Sequence, residues 1–289
     1  MSVVEQAAVL PAARPRPRPT ARSVALRSLG VVFVLALLVF MVGPILWLAL
    51  RAFSNVWPYP RFLPSDWTMK WWHSVFADKS LGHSIKLSFE FAPVVTVASA
   101  VICLPAAYAF SRFNFPGRRF LLVSLFATNA FPKIGLYISM AGVFYTFNLM
   151  GTFLGVVIVQ LIGTVVFMTW IPTAAFSSIP RSLEEAARDA GAGPLRVFFR
   201  ITFPLAAPGI FVAMILSFLA SFDEAQGTFL VGIPNYITMP TEMYTLVLNY
   251  PEQAAAVFSI LLAIPSVILM SLARKHVMGG RLAEGFQIR

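Results

Sequence analysis

Five polar side chains interrupt two long apolar stretches of the sequence. Asn129 and Lys133 lie in the first stretch, and Asp223, Glu224 and Gln226 lie in the second. Ionisable groups are costly within a membrane, so each is a candidate for function. They could line a water-filled path and contact a polar solute that passes through it. Alternatively, Lys133 neutralises Asp223, Glu224 or a charge of a partner subunit and so holds the helices together. The residues alone leave both interpretations open.

The residue types that catalytic and metal sites require are not arranged for such chemistry. The one Lys-Ser pair, Lys79-Ser80, lacks the preceding glycines of a phosphate-binding loop, and neither a GxSxG nor an HExxH pattern occurs. The single cysteine, Cys103, and the three histidines do not have metal-ligand spacing. We therefore predict no catalytic residue, no metal site and no cofactor bound by this chain, which is not expected to be an enzyme.

The composition of the chain is that of a membrane protein. Of its 289 residues, 58% are hydrophobic and 12% are charged, whereas about a quarter of the residues of a soluble domain are charged. A run of about 20 apolar residues is long enough to cross a bilayer as a helix. We predict an all-α polytopic membrane protein with six transmembrane helices, at about 29–50, 87–110, 120–143, 153–175, 205–231 and 254–273.

The positions of the basic residues predict the orientation of these helices. Arginine and lysine concentrate before residue 29, in the 176–204 loop and after residue 273, whereas 144–152 and 232–253 contain neither. Positively charged loops stay in the cytoplasm, so both termini and the 176–204 loop are predicted to be cytoplasmic. The net charge of +10 thus reflects topology, and we predict no nucleic-acid partner. The predicted domains are a disordered basic tail at 1–28, a transmembrane domain at 29–275 and a cytoplasmic tail at 276–289.

The 176–204 loop interrupts the apolar sequence with the stretch EEAARDAGAGPLRVFFRITFP. Ser182 and Glu185 match a capping box, which predicts that Ser182 caps a short helix. Gly191 permits a tight turn, and Pro194 suits the first position of a second helix. We therefore predict two short helices joined by a glycine turn. A generic charged loop with solvated side chains would have a similar charge pattern.

Two prolines follow the second predicted helix of this loop. Pro204 and Pro208 lie at the start of the apolar run 205–231. Proline has no backbone N–H group, and its ring clashes with a carbonyl of the preceding turn. We therefore predict that these prolines break the chain and re-aim it into the membrane.

The spacing of residues in the loop matches a known motif. Glu185-Ala186-Ala187 is followed after three residues by Gly191 and, nine residues later, by Ile201-Thr202-Phe203-Pro204. This pattern resembles the EAA motif of ABC importer permeases, EAA-x3-G-x9-I-x-L-P, with Phe203 in place of leucine. The resemblance implies the type I ABC importer permease fold and a coupling helix that docks into a groove of a separate ATPase. The implied ATPase-coupling residues are Glu184, Glu185, Ala186, Ala187, Asp189, Gly191, Ile201 and Pro204.

Other stretches indicate which branch of these permeases the chain resembles. AYAFSRFNFPGRR, IPRSLEEAARDAGA, PLAAPGI and RKHVMGGRLAEGF are similar to maltose-type permeases. The stretch 217–247 instead resembles spermidine/putrescine-type permeases. The resemblance implies import of a sugar or polyol, with a polyamine as the alternative because Asp223 and Glu224 would suit a cationic substrate. A non-transport six-span membrane scaffold is an interpretation from a different class.

The resemblance also implies the partners of the chain. These are a cytoplasmic ABC ATPase dimer that binds ATP and magnesium, a second permease subunit expected to be a different chain, an extracytoplasmic substrate-binding protein, and the lipid bilayer of the cell (cytoplasmic or inner) membrane. Closure of the ATPase would draw the coupling helices together, and the loaded binding protein would favour the outward-facing form from the other side.

Overall fold

The chain folds almost entirely into α-helices. The computed structural model describes residues 21–58, 60–127 and 131–277, with the backbone alone at 21–26 and 273–277. Within these ranges, extended pairing is limited to an isolated bridge between Ser54 and Trp67. The helices are α1 (Ala21–Ala52), α2 (Lys70–Ala77), α3 (Lys79–Arg112), α4 (Arg118–Ala127), α5 (Lys133–Thr146), α6 (Phe153–Ser177), α7 (Arg181–Asp189), α8 (Pro194–Val197), a π-helix (Phe198–Thr202), α9 (Phe203–Phe222), α10 (Gln226–Gly232), α11 (Met239–Asn249) and α12 (Glu252–Val277).

Among the described residues, five helical stretches are long and apolar enough to cross a membrane. They are Arg27–Ala52, Lys79–Arg112, Phe153–Ser177, Pro194–Phe222 and Glu252–Leu272. The predicted helical architecture is confirmed, whereas six crossings and cytoplasmic termini stay predictions. Helix α1 begins at Ala21, inside the predicted tail 1–28. The rest of that tail, and all but two residues of the tail 276–289, lie outside the described residues.

The third predicted span, 120–143, is not a single helix. Helix α4 ends at Ala127, and α5 begins at Lys133, immediately after Pro132. Proline cannot donate the backbone hydrogen bond that would continue a helix through this position. Of the polar residues named in this span, Lys133 starts α5, and Asn129 lies outside the described residues.

The fifth predicted span, 205–231, is also divided. Helix α9 ends at Phe222, and α10 begins at Gln226. Between them, the carboxylate of Glu224 accepts hydrogen bonds from the backbone N–H groups of Gly227 and Thr228, both at 2.8 Å, and from the Thr228 hydroxyl at 2.7 Å. A side-chain acceptor satisfies backbone donors that have no partner at the start of a helix. The acid therefore starts a new helix instead of continuing α9.

Helices α3, α6 and α9 pack together within the second of two units, Met1–Leu48 and Ala49–Arg289, into which contacts divide the chain. Helices α3 and α6 run in the same direction, since residues later in α3 contact residues later in α6. The Thr164 hydroxyl donates to Ser99 Oγ at 3.0 Å, and the Thr173 hydroxyl contacts the Ala107 carbonyl at 3.4 Å.

Helix α9 runs opposite to α6. Its first half meets the end of α6 at Ala175, and Ser221 near its end donates to Gln160. The approach at Gly209 is close, since a Cβ atom added there would lie 2.6 Å from the Cβ of Ala175. Small residues allow the backbones of membrane helices to come together in this way.

The end of the bundle at which α3 begins carries a cluster of acidic and phenolic groups. Asp78 caps α3 by accepting from the backbone N–H of Ser80 at 2.8 Å, and it accepts from the Tyr250 hydroxyl at 3.0 Å. Glu242 of α11 is 3% exposed. Burial, together with the charge of Asp78, raises the pKa of Glu242 above its ordinary value of 4.5. The hydrogen bond to Asp78 raises the pKa of the Tyr250 phenol.

A raised pKa makes the contribution of Glu242 to stability depend on pH. The contribution is fully present below the ordinary pKa of 4.5 and is lost as the pH rises through the raised pKa. We expect Glu242→Gln to raise the thermal midpoint of the purified protein at pH 7.5, because the amide avoids the cost of ionising a buried carboxyl near Asp78. The gain should shrink as the pH falls toward 4.5.

The control for this pH dependence is Glu185→Gln. The Glu185 side chain is exposed, and the ion pairs of the described residues do not include it, so the same chemical change there should give a difference that does not vary with pH. A Glu242→Gln midpoint equal to that of the wild type at every pH would show that the buried carboxyl does not destabilise the fold.

Candidate functional site

Three residues separate the end of α6 from the start of α7. Pro180 precedes its first residue, Arg181, and adopts an extended conformation with ψ of 130°. The predicted capping box is wrong, because no side chain caps α7 and Ser182 already lies within the helix. The fixed φ of proline prepares the chain to enter a helix at the next residue, which places the start two positions earlier than the capping box requires.

The two adjacent glutamates of α7 face different surroundings. Glu185, Ala186 and Asp189 are exposed and Ala187 is half-buried, whereas Glu184 is 3% exposed. Consecutive residues of an α-helix are rotated by about 100°, so one glutamate faces outward and its neighbour faces the bundle. Among the α7 residues that the resemblance implies to contact an ATPase, Glu184 alone is therefore buried.

The buried carboxylate of Glu184 joins three helical segments. Its Oε1 lies 2.8 Å from Arg112 Nη2 and accepts from Arg112 Nε at 2.9 Å and from the Thr202 hydroxyl at 2.8 Å. Arg112 ends α3, and Thr202 ends the π-helix. Arg112 also donates to the carbonyl of Ile179 at 3.3 Å, and Arg181 donates to the carbonyl of Arg112 at 3.0 Å. Charged hydrogen bonds thus connect α7 to α3 and to the start of α9.

The predicted glycine turn is confirmed at the end of α7. Gly191 has φ of +83°, and its N–H donates to the carbonyl of Arg188 at 2.9 Å, while the N–H of Ala192 donates to that of Ala187 at 3.0 Å. These two bonds are those of a Schellman motif. Pro194 then occupies the first turn of α8, as predicted. A Cβ atom on Gly191 would have open space, so the backbone conformation alone requires glycine.

We expect Gly191→Ala to destabilise α7 by about 1–2 kcal/mol, the cost of a left-handed conformation for a residue with a Cβ atom. Amide hydrogen exchange of residues 181–192 in the purified protein would measure this loss. Gly191→Asn is the control, because asparagine is larger than alanine but tolerates this conformation. Gly191→Asn should destabilise α7 less than Gly191→Ala does. The opposite order would show that glycine is required here by the space for a side chain and not by the backbone conformation.

The chain continues from α8 into α9 without a break. The predicted interruption at Pro204 and Pro208 is wrong, since Pro194–Phe222 is helical throughout. The N–H of Phe203 donates to the carbonyl of Phe198, five residues earlier. This π turn widens the helix just before Pro204, whose ring would otherwise clash with the carbonyl of the preceding turn. Proline is accommodated here by a local change of helix type.

The exposed side of the 181–204 segment mixes charged and apolar groups. Leu183 is 46% exposed, Leu195 73% and Phe199 63%, and a surface cavity of ≈ 340 Å³ borders Leu195 and Gly191. Exposed apolar groups rimmed by charges are typical of protein-binding surfaces. Of the remaining motif residues, Ile201 is half-buried and Pro204 is exposed. In the part of the chain that is described, no three His, Cys, Asp or Glu side chains are grouped to hold a metal ion.

The polar residues of the two interrupted spans have different surroundings. Lys133, Asp223 and Gln226 are exposed, whereas Glu224 is 8% exposed. The ion pairs among residues 21–58, 60–127 and 131–277 do not include one from Lys133 to Asp223 or Glu224. The ion pair of Lys133 with Asp223 or Glu224, which the sequence left open, is therefore absent from the described residues. Three of the five candidate side chains are available to a solute or a partner.

Glu224 belongs to a buried chain of polar groups that sequence analysis did not identify. The Thr228 hydroxyl, which donates to Glu224, accepts from Gln160 Nε2 at 3.0 Å, and Gln160 Oε1 accepts from the Ser221 hydroxyl at 2.7 Å. These four side chains link α6, α9 and α10. Gln160 is the one amide or charged side chain of the predicted span 153–175. A single such residue in an apolar span is the sequence signal that could have identified it.

Solved structures define the class of the fold. The crystal structure of a bacterial ABC transporter involved in the import of the acidic polysaccharide alginate matches with a TM-score of 0.70 at 20% identity, over 90% of this chain and 99% of that chain. The MetNI methionine ABC transporter, in inward-facing conformations, matches with a TM-score of 0.55 at 18% identity, over 68% and 94%. The fold is that of ABC transporter permeases.

Sequence comparison then gives the family. The profile of the binding-protein-dependent transport system inner membrane component matches residues 99–278, more than half of the chain. The chain belongs to this family, which is one of transporter permease subunits and not of catalytic enzymes. The predicted resemblance is thus confirmed.

Named relatives of the chain transport sugars. The maltodextrin transport system permease protein MdxG of Bacillus subtilis (strain 168) is 26% identical over 259 residues, which are 88% of this chain and 93% of that protein. The trehalose transport system permease protein SugB of Mycobacterium tuberculosis (strain CDC 1551 / Oshkosh) is 26% identical over 245 residues, or 82% and 89%.

Proposed function

We propose that this chain is the permease subunit of an ATP-driven sugar importer and forms half of its translocation pathway. The observation that carries the proposal is the 181–204 segment, whose exposed face combines Glu185 and Asp189 with apolar side chains. That face suits a separate ATPase, which binds ATP and magnesium and supplies the driving force. The similarity to maltodextrin and trehalose permeases supports a sugar as the cargo.

Helices α4 and α5 together complete a sixth crossing in this proposal. They have 10 and 14 residues, and 24 helical residues rise about 36 Å, more than the hydrocarbon core of about 30 Å. The basic 176–204 loop and both termini then lie in the cytoplasm. A second permease chain supplies the other half of the pathway, and an extracytoplasmic binding protein delivers the sugar to the opposite side of the membrane.

The exposed polar side chains at the interrupted helices line the path of the sugar. Lys133, Asp223 and Gln226 supply hydrogen-bond donors and acceptors of the kind that sugar hydroxyls require. Their exposure in otherwise apolar spans supports this role, because ionisable residues in such spans usually face a water-filled cavity or another subunit.

Co-purification and uptake test the proposed function. The chain, expressed with its second permease subunit, the ATPase and the binding protein and reconstituted in liposomes, should bind the ATPase and take up radiolabelled maltodextrin or trehalose only when ATP is present. A wild-type chain that retains no P-loop ATPase would contradict the importer proposal and favour a membrane scaffold.

A polyamine is the second candidate cargo, and the exposed carboxylate of Asp223 is the observation that favours it. The cognate binding protein separates the two candidates in titration calorimetry. We expect binding of maltodextrin or trehalose. Tight binding of spermidine without a response to sugars would reassign the cargo.

We expect Glu185→Lys to lower sugar uptake at least tenfold while the protein still inserts in the membrane. Glu185 is exposed on the proposed contact face, and a charge reversal at the centre of a protein interface costs on the order of 2 kcal/mol or more. The matched control is Glu252→Lys, the same reversal at an exposed residue of α12. It breaks the ion pair of Glu252 with Arg51, but an exposed pair contributes at most about 1 kcal/mol, so uptake should stay normal. Normal uptake by the Glu185→Lys variant would count against a contact at α7.

A further inference from the structure

We propose that Glu184 is a positioning residue that fixes α7 to the bundle, so that α7, the end of α3 and the start of α9 move as one body. This inference rests on the proposed coupling function. It separates Glu184 from Glu185: the exposed glutamate contacts the ATPase, and the buried glutamate carries the displacement of α7 into the membrane helices.

The burial pattern of α7 is the first argument. All nine residues of α7 are described, and Glu184 is the only buried one among them. A short surface helix is usually held by an apolar stripe that faces the core. Here the inward position holds a charge, so the attachment of α7 depends on what this carboxylate binds.

The partners of that carboxylate are the second argument. The side chains of Arg112 and Glu184 are 8% and 4% exposed, and Thr202 is fully buried. A buried charge is tolerated when it is paired and hydrogen-bonded, and hydrogen bonds to charged groups are stronger than neutral ones. Three donor atoms converge on one oxygen of Glu184, at 2.8 to 2.9 Å. The carboxylate has the partners that its burial requires.

The positions of these partners in the chain are the third argument. Arg112 is 72 residues away from Glu184 and Thr202 is 18 residues away, and they belong to two helices that pack against each other across the bundle. Arg112 also binds the Ile179 carbonyl just before α7. A displacement of α7 therefore acts on α3 and α9 through hydrogen bonds, in addition to the backbone connections at each end of the helix.

Neutral variants should loosen α7 without changing its exposed face. In the complex with the second permease subunit, the ATPase and the binding protein, we expect Glu184→Gln and Arg112→Met to speed amide exchange of residues 181–189 at least tenfold, as for loss of one partner of a buried charge pair. Sugar transported per ATP hydrolysed should fall by a similar factor at equal ATPase content. Arg112→Lys keeps the charge but loses the planar fork, so it should fall between Arg112→Met and the wild type.

Two further variants complete the experiment. Thr202→Val removes one hydrogen bond, with little change of volume, and should lower the ratio of sugar transported to ATP hydrolysed, the coupling ratio, about threefold. If Glu184→Gln does not accumulate in the membrane, Thr202→Val tests the inference in its place. Glu90→Gln is the matched control, since it makes the same change at a side chain that is 48% exposed. Its exchange rates and coupling ratio should equal those of the wild type.

Each outcome supports or overturns the inference. Faster exchange in α7 together with a lower ratio of maltodextrin or trehalose to ATP supports it, whereas a merely structural role would reduce the amount of complex and leave the ratio unchanged. Unchanged exchange, or faster exchange with an unchanged ratio, overturns it. If the wild type transports neither sugar or binds no ATPase, the proposed function fails, and the exchange rates still show whether Glu184 fixes α7.

Discussion

Replacing Glu224 with alanine should lower the thermal midpoint of the purified protein by about 10 °C, whereas Asp223→Ala, one residue earlier, should change it by less than about 2 °C. Glu224 is 8% exposed and accepts three hydrogen bonds at the start of α10. Its removal leaves two backbone N–H groups and a hydroxyl without their acceptor. Buried groups that lose a charged partner cost about 3–5 kcal/mol in total.

Glu224→Gln supplies a graded test of the same contact. The amide oxygen can still accept one or two of the bonds but carries no charge, so the loss should be about half of that for alanine. Thermal unfolding in lipid nanodiscs, followed by intrinsic fluorescence, measures all three variants. One kcal/mol corresponds to about 2–4 °C in the thermal midpoint of a chain of this size. A Glu224→Ala midpoint within about 2 °C of the wild-type midpoint would therefore show that α10 does not depend on this carboxylate.

The same pair of residues separates stability from transport. Asp223 is exposed, and we propose that it lines the sugar path. Asp223→Asn should therefore reduce uptake without changing the thermal midpoint, and Glu224→Gln should change both. Equal uptake by Asp223→Asn and the wild type would remove Asp223 from the pathway.

The second large effect is expected at Gly209, where α9 crosses α6. A Cβ atom at this position would lie 2.6 Å from the Cβ of Ala175, and neither atom can rotate away because each is fixed to the backbone. The helices must separate, and such overpacking costs about 1–3 kcal/mol. We expect Gly209→Ala to lower the thermal midpoint by about 3–8 °C and Gly209→Leu to prevent stable assembly of the bundle.

A double substitution and a control make this prediction specific. Ala175→Gly removes the opposing Cβ atom and should restore most of the stability of Gly209→Ala. Gly142→Ala in α5 introduces the same methyl group where no atom lies within 4 Å, and it should be neutral or stabilise slightly because alanine favours helix. Similar losses at Gly142 and Gly209 would show that crowding against α6 is not the cause.

Local patterns were enough to predict the larger features of this fold. Long apolar runs correctly located α3, α6 and α12, because a helix of about 20 apolar residues needs no distant partner to satisfy its backbone. The turn at Gly191 was predictable for the same reason. Its conformation is set within a few residues, and glycine is the residue that adopts it without strain.

The interrupted helices and the buried side chains depend on contacts between distant positions. Nothing local distinguishes Glu184 from Glu185. The distant partners Arg112, 72 residues away, and Thr202, 18 residues away, decide which of them is buried. Similarly, the sequence makes Asp223 and Glu224 equivalent candidates for the pathway, whereas in the structure the backbone donors of α10 bind Glu224 alone of the two.

The π turn at Phe198–Thr202 gives a physical reason for the fixed count of residues between Gly191 and Ile201. One residue fewer in this turn would restore ordinary α-helical spacing but would rotate everything before it by about 100° around the axis of α9. The exposed face of α7 would then point in a different direction around the axis of α9, and the Thr202 hydroxyl would no longer contact Glu184. We therefore expect single-residue deletions here to be far more damaging than substitutions. A deletion rotates the preceding segment about the helix axis, whereas a substitution changes one side chain.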